Sequence, residues 1–420
     1  MTKKQLVIIG NGLATMQLLK ELNHQTDYTV TVLSAEGVAH YNRIMLSSLL
    51  AKETDLNSIT PCDDAWYKER DIQVLLNHKV IEVDSKTQTL SCENGLRVQY
   101  DTLIFATGSQ AFIPPMPGTQ MPDVLAGVMG FRTLHDVDFM QEVTRNYKKA
   151  VVIGAGLLGI EAAAGLAKQG MDVTLLHRRD VLMNRQIDRK ASDFLSTELQ
   201  SRGINVATGN GPIALSGDTS SNKVCAVELD NGDSLEADLV VFATGITPST
   251  SLAQQSGLLV KKGICVNAQL QTSQEGIYAL GECCEFEGNT YGLVAPIWNQ
   301  ARVLAKQLLL IAKDEKLTDK NLPVYKEESF ATKLKVSGID VHSMGIINIE
   351  EAEDACEVIE FNDAQRSIYK KLLVSDNKVV GAVLYGDVID SQWYFDLLQQ
   401  ELDISVFRDD LIFGQAFCQL

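Results

Sequence analysis

A short apolar run ending in a glycine turn occurs twice in this chain. Leu6–Gly12 reads LVIIGNG and Ala150–Gly156 reads AVVIGAG. Each run is too short for a helix, and a segment of helical period follows it. Each then leads to a second apolar run, TVTVLSAE at Thr29–Glu36 and DVTLLHRR at Asp172–Arg179. A strand, a tight turn, a helix and a second strand in this order form one unit of a parallel sheet. Two such units imply two dinucleotide sites in an α/β chain.

The rest of the chain extends this plan. LIFATG at Leu103–Gly108, LVVFATG at Leu239–Gly245 and GIYALG at Gly276–Gly281 read as buried strands ending in small residues. Leu252–Thr272 reads as hairpin-like strands, and Val294–Leu310 has a helical period opening after Pro296. Asp314–Asn321 is charged and linker-like. Beyond it, Lys370–Val374 and Val379–Tyr385 read as strands and a helix begins near Ser391, which marks a separate α+β domain. At 420 residues the chain is too long for one ordinary core.

Composition narrows the function classes. A net charge of −17 argues against nonspecific binding to nucleic acid or anionic membranes, and its plain reading is solubility. No run of about 18 apolar residues suits a membrane span, and the N-terminus has no signal-peptide pattern. The expected location is therefore the cytoplasm. The eight cysteines form no C-x-x-C pair, so no metal site is expected.

The glycine turns carry the chemistry. In Gly10-Asn11-Gly12 the glycines allow a tight turn and close approach of a pyrophosphate to a helix N-terminus. The third position of G-x-G-x-x-G is Thr15. Glu36, at the end of the next strand, stands where a carboxylate accepts hydrogen bonds from a ribose. Gly154, Gly156 and Gly159 complete the second motif. The strand after it ends in His177-Arg178-Arg179, where an acid would take the 2′-hydroxyl of NAD. Two arginines suit the 2′-phosphate of NADP, and the competing reading is ordinary surface charge.

The ordered set GNG, Glu36, ATG at Ala106–Gly108, GAGLLG, ATGITP at Ala243–Pro248 and GIYALGE at Gly276–Glu282 resembles the two-dinucleotide flavoprotein family. That family includes rubredoxin and ferredoxin reductases, NADH oxidases and coenzyme A disulfide reductases. Local strings bring the resemblance closer: Tyr41-Asn42-Arg43, Leu182–Asp188 (LMNRQID), Gly281-Glu282-Cys283, Tyr291–Pro296, Leu334–Val341 and Gly381–Asp387. They are similar to the flavin module of bacterial nitrite reductase large subunits and to the electron-transfer subunit of assimilatory nitrate reductase.

The resemblance implies an α/β fold with two Rossmann-like FAD- and NAD(P)-binding domains, glutathione-reductase-like, plus a C-terminal α+β domain. The implied domains are 1–115 with 240–318 for FAD, 116–239 for NAD(P)H, and 319–420. Gly10, Gly12 and Glu36 would hold the adenosine end of FAD. Thr107, Gly108 and Gly245 would lie along it, and Gly281 and Glu282 would meet its ribitol chain. Gly154, Gly156, Gly159, His177, Arg178 and Arg179 would hold NADPH or NADH. Arg43 would pair with Glu161 beside the reacting rings. Trp298 reads either as a flavin neighbour or as a core tryptophan.

The implied activity is hydride transfer from NAD(P)H to FAD, then electron transfer to an iron–sulfur or other redox protein in nitrate or nitrite assimilation. A rubredoxin, flavorubredoxin or ferredoxin reductase is the alternative. A non-catalytic dinucleotide-binding redox sensor is a second one. No cysteine follows Tyr41-Asn42-Arg43 before Cys62, which disfavours disulfide or peroxide reduction. The sequence stops at Leu420 without the cysteine clusters of iron–sulfur and sirohaem domains, so electrons are expected to leave to a separate acceptor. Family members pack subunits through the C-terminal domain, which implies a homodimer.

Overall fold

The computed structural model describes residues 3–23, 28–122, 124–218, 220–312, 322–327, 331–336, 338–351 and 355–418. The expected linker Asp314–Asn321 and Ser337 lie outside them. The chain forms two compact units. One comprises Met1–Leu49, Glu53–Ala111 and Gly245–Glu328; the other comprises Leu50–Lys52, Phe112–Thr244 and Ser329–Leu420.

The first unit is built on a five-stranded parallel sheet. Its order is Ile277–Ala279, Thr102–Phe105, Lys4–Ile9, Tyr28–Leu33, Ile72–Leu75. Leu6, Val7, Ile8 and Ile9 of the strand Lys4–Ile9 and all of Thr102–Phe105 are buried, as continuous apolar runs in a covered parallel sheet must be. The helix Leu13–Leu22 and the helix Val294–Ala312 pack together on this sheet.

The second unit repeats the plan. Its parallel sheet runs Ile204–Thr208, Asp172–His177, Lys149–Ile153, Leu239–Phe242, Val128–Gly130. Lys149–Ile153 therefore occupies the place of Lys4–Ile9, and Leu239–Phe242 that of Thr102–Phe105. The duplication read in the sequence is a duplication of topology. In each sheet the strand order reverses beside the strand that carries the glycine turn, and that crevice is where open α/β sheets bind ligands.

The second unit also holds an antiparallel sheet, ordered Thr332–Val336, Ile339–Gly345, Lys378–Tyr385, Ile368–Ser375, Glu357–Asp363. Alternation along the strand Ile368–Ser375 gives it two faces. Leu372 and Val374 join a core with Tyr394 and Leu397 of the helix Ser391–Gln399. Tyr369 and Lys371 point the other way, toward the helix Arg189–Ser201. There Phe194 stacks on Tyr369 with ring centroids 6.4 Å apart and lies 5.6 Å from Tyr385. Asp188, which caps that helix, accepts from Tyr369 Oη at 2.8 Å and pairs with Lys371 Nζ at 3.1 Å. All three side chains are buried.

Two local readings change. Leu252–Thr272 is hairpin-like only around residues 259–265, where Val260 and Ile264 form an antiparallel bridge. Ser251–Gln255 is a helix with Ala253 buried, and Ile264–Val266 pairs in parallel with Cys284–Phe286. The run Ser-Leu-Ala-Gln-Gln has no β-branched residue to favour a strand, and Gly257 (φ +79°) follows the helix end. The helix around Pro296 opens at Val294, because proline in a first turn forfeits no helical hydrogen bond. Among the described residues no helix is long and apolar enough to cross a membrane.

The buried ion pair yields a stability test. Lys371→Met alone strands the Asp188 carboxylate and should cost about 3–5 kcal/mol. Adding Asp188→Asn, which keeps a capping side chain, should recover most of that loss. Urea denaturation of the three proteins checks it; equal loss in the single and the double variant contradicts the pairing.

Candidate functional site

Both glycine turns sit at the carboxyl ends of their strands, and both are forced by close backbone approach. Gly10 has φ +108°, and a Cβ there would lie 2.2 Å from the Ala106 carbonyl oxygen. Gly154 has φ +109°, and a Cβ would lie 2.5 Å from the Ala243 carbonyl oxygen. No other residue fits either position. A Cβ on Gly12 or Gly156 would instead meet nothing within 4 Å. Gly12 and Gly156 are the N-caps of Leu13–Leu22 and Leu157–Lys168, and neither helix has a capping side chain. Helix N-termini with spare N–H donors and open space in front suit a pyrophosphate. Both cradles therefore fit a dinucleotide.

Thr15 and Gly159 occupy equivalent places and solve the same contact differently. A Cβ on Gly159 would stand 1.7 Å from the Gly154 carbonyl oxygen. Thr15 is fully buried, and its Oγ1 donates to the Gly10 carbonyl oxygen at 2.6 Å. The missing third glycine is thus replaced by a hydrogen bond across the same loop.

A histidine holds the residue between each glycine pair. Buried His40 bonds through Nδ1 to the Asn11 carbonyl oxygen at 3.1 Å. The Ala155 N–H donates to His177 Nδ1 at 3.2 Å, so the His177 proton sits on Nε2, 3.4 Å from Asn184 Oδ1. Burial is the main cause lowering both imidazole pKa values; the Lys20 and Arg43 charges add to it at His40, and the Arg179 charge at His177. His177, expected beside the adenosine, thus braces the loop itself. His40 went unnoticed in the sequence, since nothing in its spacing ties it to Asn11.

In the first unit Glu36 forms an ion pair with Arg43 and accepts from Tyr41 Oη at 2.8 Å. Arg43 Nη1 donates to Tyr41 Oη at 2.7 Å, and its guanidinium lies 4.8 Å from the ring centroid. A carboxylate oriented by two donors just beyond a strand end suits a ribose diol. Thr107 Oγ1 donates to the Ser249 carbonyl oxygen at 2.7 Å, and Ser249 N–H donates to the Gly108 carbonyl oxygen at 2.9 Å. Gly108, Gly245 and Gly281 all have positive φ. Gly281 N–H donates to Oε1 of buried Gln300 at 2.8 Å, and Ser109 Oγ donates to Glu282 Oε2 at 2.7 Å. Cys283 and Cys284 beside them are free, buried thiols whose pKa burial raises. Trp298 is 47% exposed, so it is no core tryptophan.

In the second unit Arg178 and Arg179 are exposed beyond the strand Asp172–His177, and Glu161 is half-buried on Leu157–Lys168. Arg43 and Glu161 belong to different units, and Arg43 is engaged by Glu36. Among the described residues no group of three or more His, Cys, Asp or Glu could hold a metal ion.

Comparisons with known proteins agree with this geometry. The profile of the family described as pyridine nucleotide-disulphide oxidoreductase matches residues 4–307, and that of the rubredoxin NAD+ reductase C-terminal domain matches residues 331–402. The nitrite reductase [NAD(P)H] of Bacillus subtilis strain 168 is 42% identical over 96% of this chain and 48% of its own length. The assimilatory nitrate reductase electron transfer subunit of the same organism is 37% identical over 98% of this chain and 51% of its own. The chain thus spans about half the length of these relatives. The reductase in a covalent putidaredoxin reductase–putidaredoxin complex superposes with a TM-score of 0.82 at 24% identity, over 98% of this chain and 96% of that one.

Two outcomes follow from the loops. Thr15→Val removes the donor to the Gly10 carbonyl and should weaken FAD binding about fivefold, while Thr15→Ser retains it; fluorescence titration of the apoprotein reads this, and equal affinities contradict it. The second concerns pH. Folding lowers the pKa of His40 and His177 below the ordinary value of about 6.5. Their contribution to stability is present above that pH and is lost as pH falls through the lowered values. Melting temperature should drop between pH 7 and pH 5, and His40→Asn, which keeps a donor for Asn11, should flatten that drop. An identical pH profile in the variant contradicts the assignment.

Proposed function

The chain belongs to the pyridine nucleotide-disulphide oxidoreductase family, as an oxidoreductase whose cofactors are FAD and NAD(P)H. From that premise we propose that it passes electrons from NAD(P)H through FAD to a separate redox protein, as the reductase component of a nitrate or nitrite assimilation system. The observation that carries this reading is the pair of matching cradles at Gly10–Gly12 and Gly154–Gly156. One cradle retains a cofactor and the other exchanges one. FAD held in the first supplies the conversion of two-electron hydride chemistry into one-electron transfer.

The protein's own part is to bind and orient. Gly12 and the N–H groups of Leu13–Leu22 receive the FAD pyrophosphate, and Glu36, oriented by Tyr41 and Arg43, takes the ribose. Glu282, held by Ser109, meets the ribitol chain. Gly156 and the N–H groups of Leu157–Lys168 receive the nucleotide pyrophosphate. Arg178 and Arg179 take a 2′-phosphate, which favours NADPH. Glu161 lies by the nicotinamide and Trp298 near the flavin, while Arg43, engaged by Glu36, serves the ribose end. Residues 1–115 with 240–318 form the FAD domain, 116–239 the nucleotide domain and 319–420 a C-terminal domain that joins two subunits. The acceptor class is an iron–sulfur protein, and the reaction belongs in the cytoplasm.

A rubredoxin-type acceptor is the second reading, favoured by the match of residues 331–402 to the rubredoxin NAD+ reductase C-terminal domain.

Turnover with each nucleotide, using a [2Fe–2S] ferredoxin and then rubredoxin as acceptor, tests the proposal. Ferredoxin reduction faster with NADPH than with NADH is expected, and rubredoxin reduction alone supports the second reading. Arg178→Ala with Arg179→Ala should lower kcat/KM for NADPH about tenfold or more and leave that for NADH within twofold. A wild type that strongly favours NADH contradicts the arginine assignment, and failure to reduce either protein contradicts the electron-transfer role.

A further inference from the structure

The string Leu182–Asp188 has no part in the cofactor contacts above, yet it links two parts of the second unit. Met183 lies at its start with φ 47°, and its N–H donates to the Ala155 carbonyl oxygen at 2.8 Å. The N–H of the same Ala155 is taken by His177 Nδ1, whose Nε2–H faces Asn184 Oδ1. The middle residue of the second glycine turn is thus gripped on both backbone groups, one directly by this string and the other through His177.

The string is itself tightly fixed. The Met183 carbonyl oxygen accepts from Gln186 N–H at 2.7 Å and from Ile187 N–H at 3.0 Å. Leu182 N–H donates to Ser192 Oγ at 2.8 Å, and Leu182, Met183 and Ile187 are buried. It ends on Asp188. One carboxylate oxygen caps the helix Arg189–Ser201 through the Ala191 N–H; the other takes Tyr369 Oη and Lys371 Nζ from the antiparallel sheet. Lys371 Nζ donates also to the Ile347 carbonyl oxygen at 3.1 Å. A buried charge with these partners has one favoured geometry, which defines the register of the string.

We propose that the C-terminal sheet is a working part of the nicotinamide nucleotide site: Lys371 and Tyr369 are positioning residues that hold Ala155 in its turn through Asp188, Met183 and Asn184. This rests on the reading that the Gly154–Gly156 cradle takes NAD(P)H. Neither residue touches the nucleotide. They fix the string, the string fixes His177 and Ala155, and the turn keeps the shape that a pyrophosphate needs. A protein docking on the C-terminal domain would gain a route to nucleotide affinity by the same links.

The test uses the FAD-loaded chain, in the neutral replacement Asp188→Asn with Lys371→Met, in Asn184→Ala, and in both combined. Asn184 is exposed, so its replacement leaves the core intact. KM for the preferred nucleotide should rise about tenfold in each of the first two, with kcat and FAD content within twofold of wild type. The combination should be no worse than either alone, since both cut one chain of contacts. Without nucleotide, hydrogen exchange at the Ala155 and Met183 amides should quicken about tenfold in both. Should the neutral replacement not fold, Tyr369→Phe takes its place with the same expectations. An unchanged KM with unchanged exchange, or effects that multiply in the combination, overturns the proposal. A wild type that neither nucleotide reduces fails at the earlier reading instead and removes the ground of this one; quickened exchange in the variants would then mark a purely structural link.

Discussion

At Gly10 and at Gly154 the backbone passes so close to a neighbouring carbonyl that no side chain fits, and both sheets are organised around that approach. It brings the exit of one parallel strand against the exit of its neighbour at the point where strand order reverses. The helix that follows then begins with N–H groups facing open space. Everything proposed for FAD and NAD(P)H depends on these two turns. The supporting contacts differ in chemistry but share a purpose: Thr15 and His40 brace the first turn, and Gly159 and His177 the second.

These turns explain why the fold was legible in the sequence. A close approach demands glycine, and glycine after a short apolar run is visible without coordinates. Continuous apolar strands announce a covered parallel sheet, so Lys4–Ile9, Thr102–Phe105, Lys149–Ile153 and Leu239–Phe242 were all anticipated. The short helix Ser251–Gln255 was not, because five residues are too few to show a period and Leu252 with Leu258 and Leu259 imitates a strand. The motif residues of the site were legible for the same steric reason. Their supports were not. His40, Asn184, Ser109 and Gln300 act through one or two contacts each, with residues 16 to 173 positions away, except for Asn184 at seven. Such contacts exist only once the chain is folded.

The C-terminal sheet shows the same limit. Two of its five strands, Ile368–Ser375 and Lys378–Tyr385, could be read, but not that one face is covered by its own helix and the other by the helix Arg189–Ser201. The Asp188–Lys371 pair lies in that second interface. A buried pair contributes little net stability compared with apolar packing, so its value is in specifying one arrangement. Here the arrangement specified includes the string that braces Ala155. The proposed division of labour is one domain that holds the flavin, one that exchanges the nucleotide, and a third that steadies the exchange.

The most direct test of the whole account is the visible spectrum of the purified protein during anaerobic titration with NADPH and then NADH. The account requires an oxidised flavin spectrum that NADPH bleaches stoichiometrically and faster than NADH. A colourless protein that takes up no added FAD, or a flavin that neither nucleotide bleaches, would contradict it.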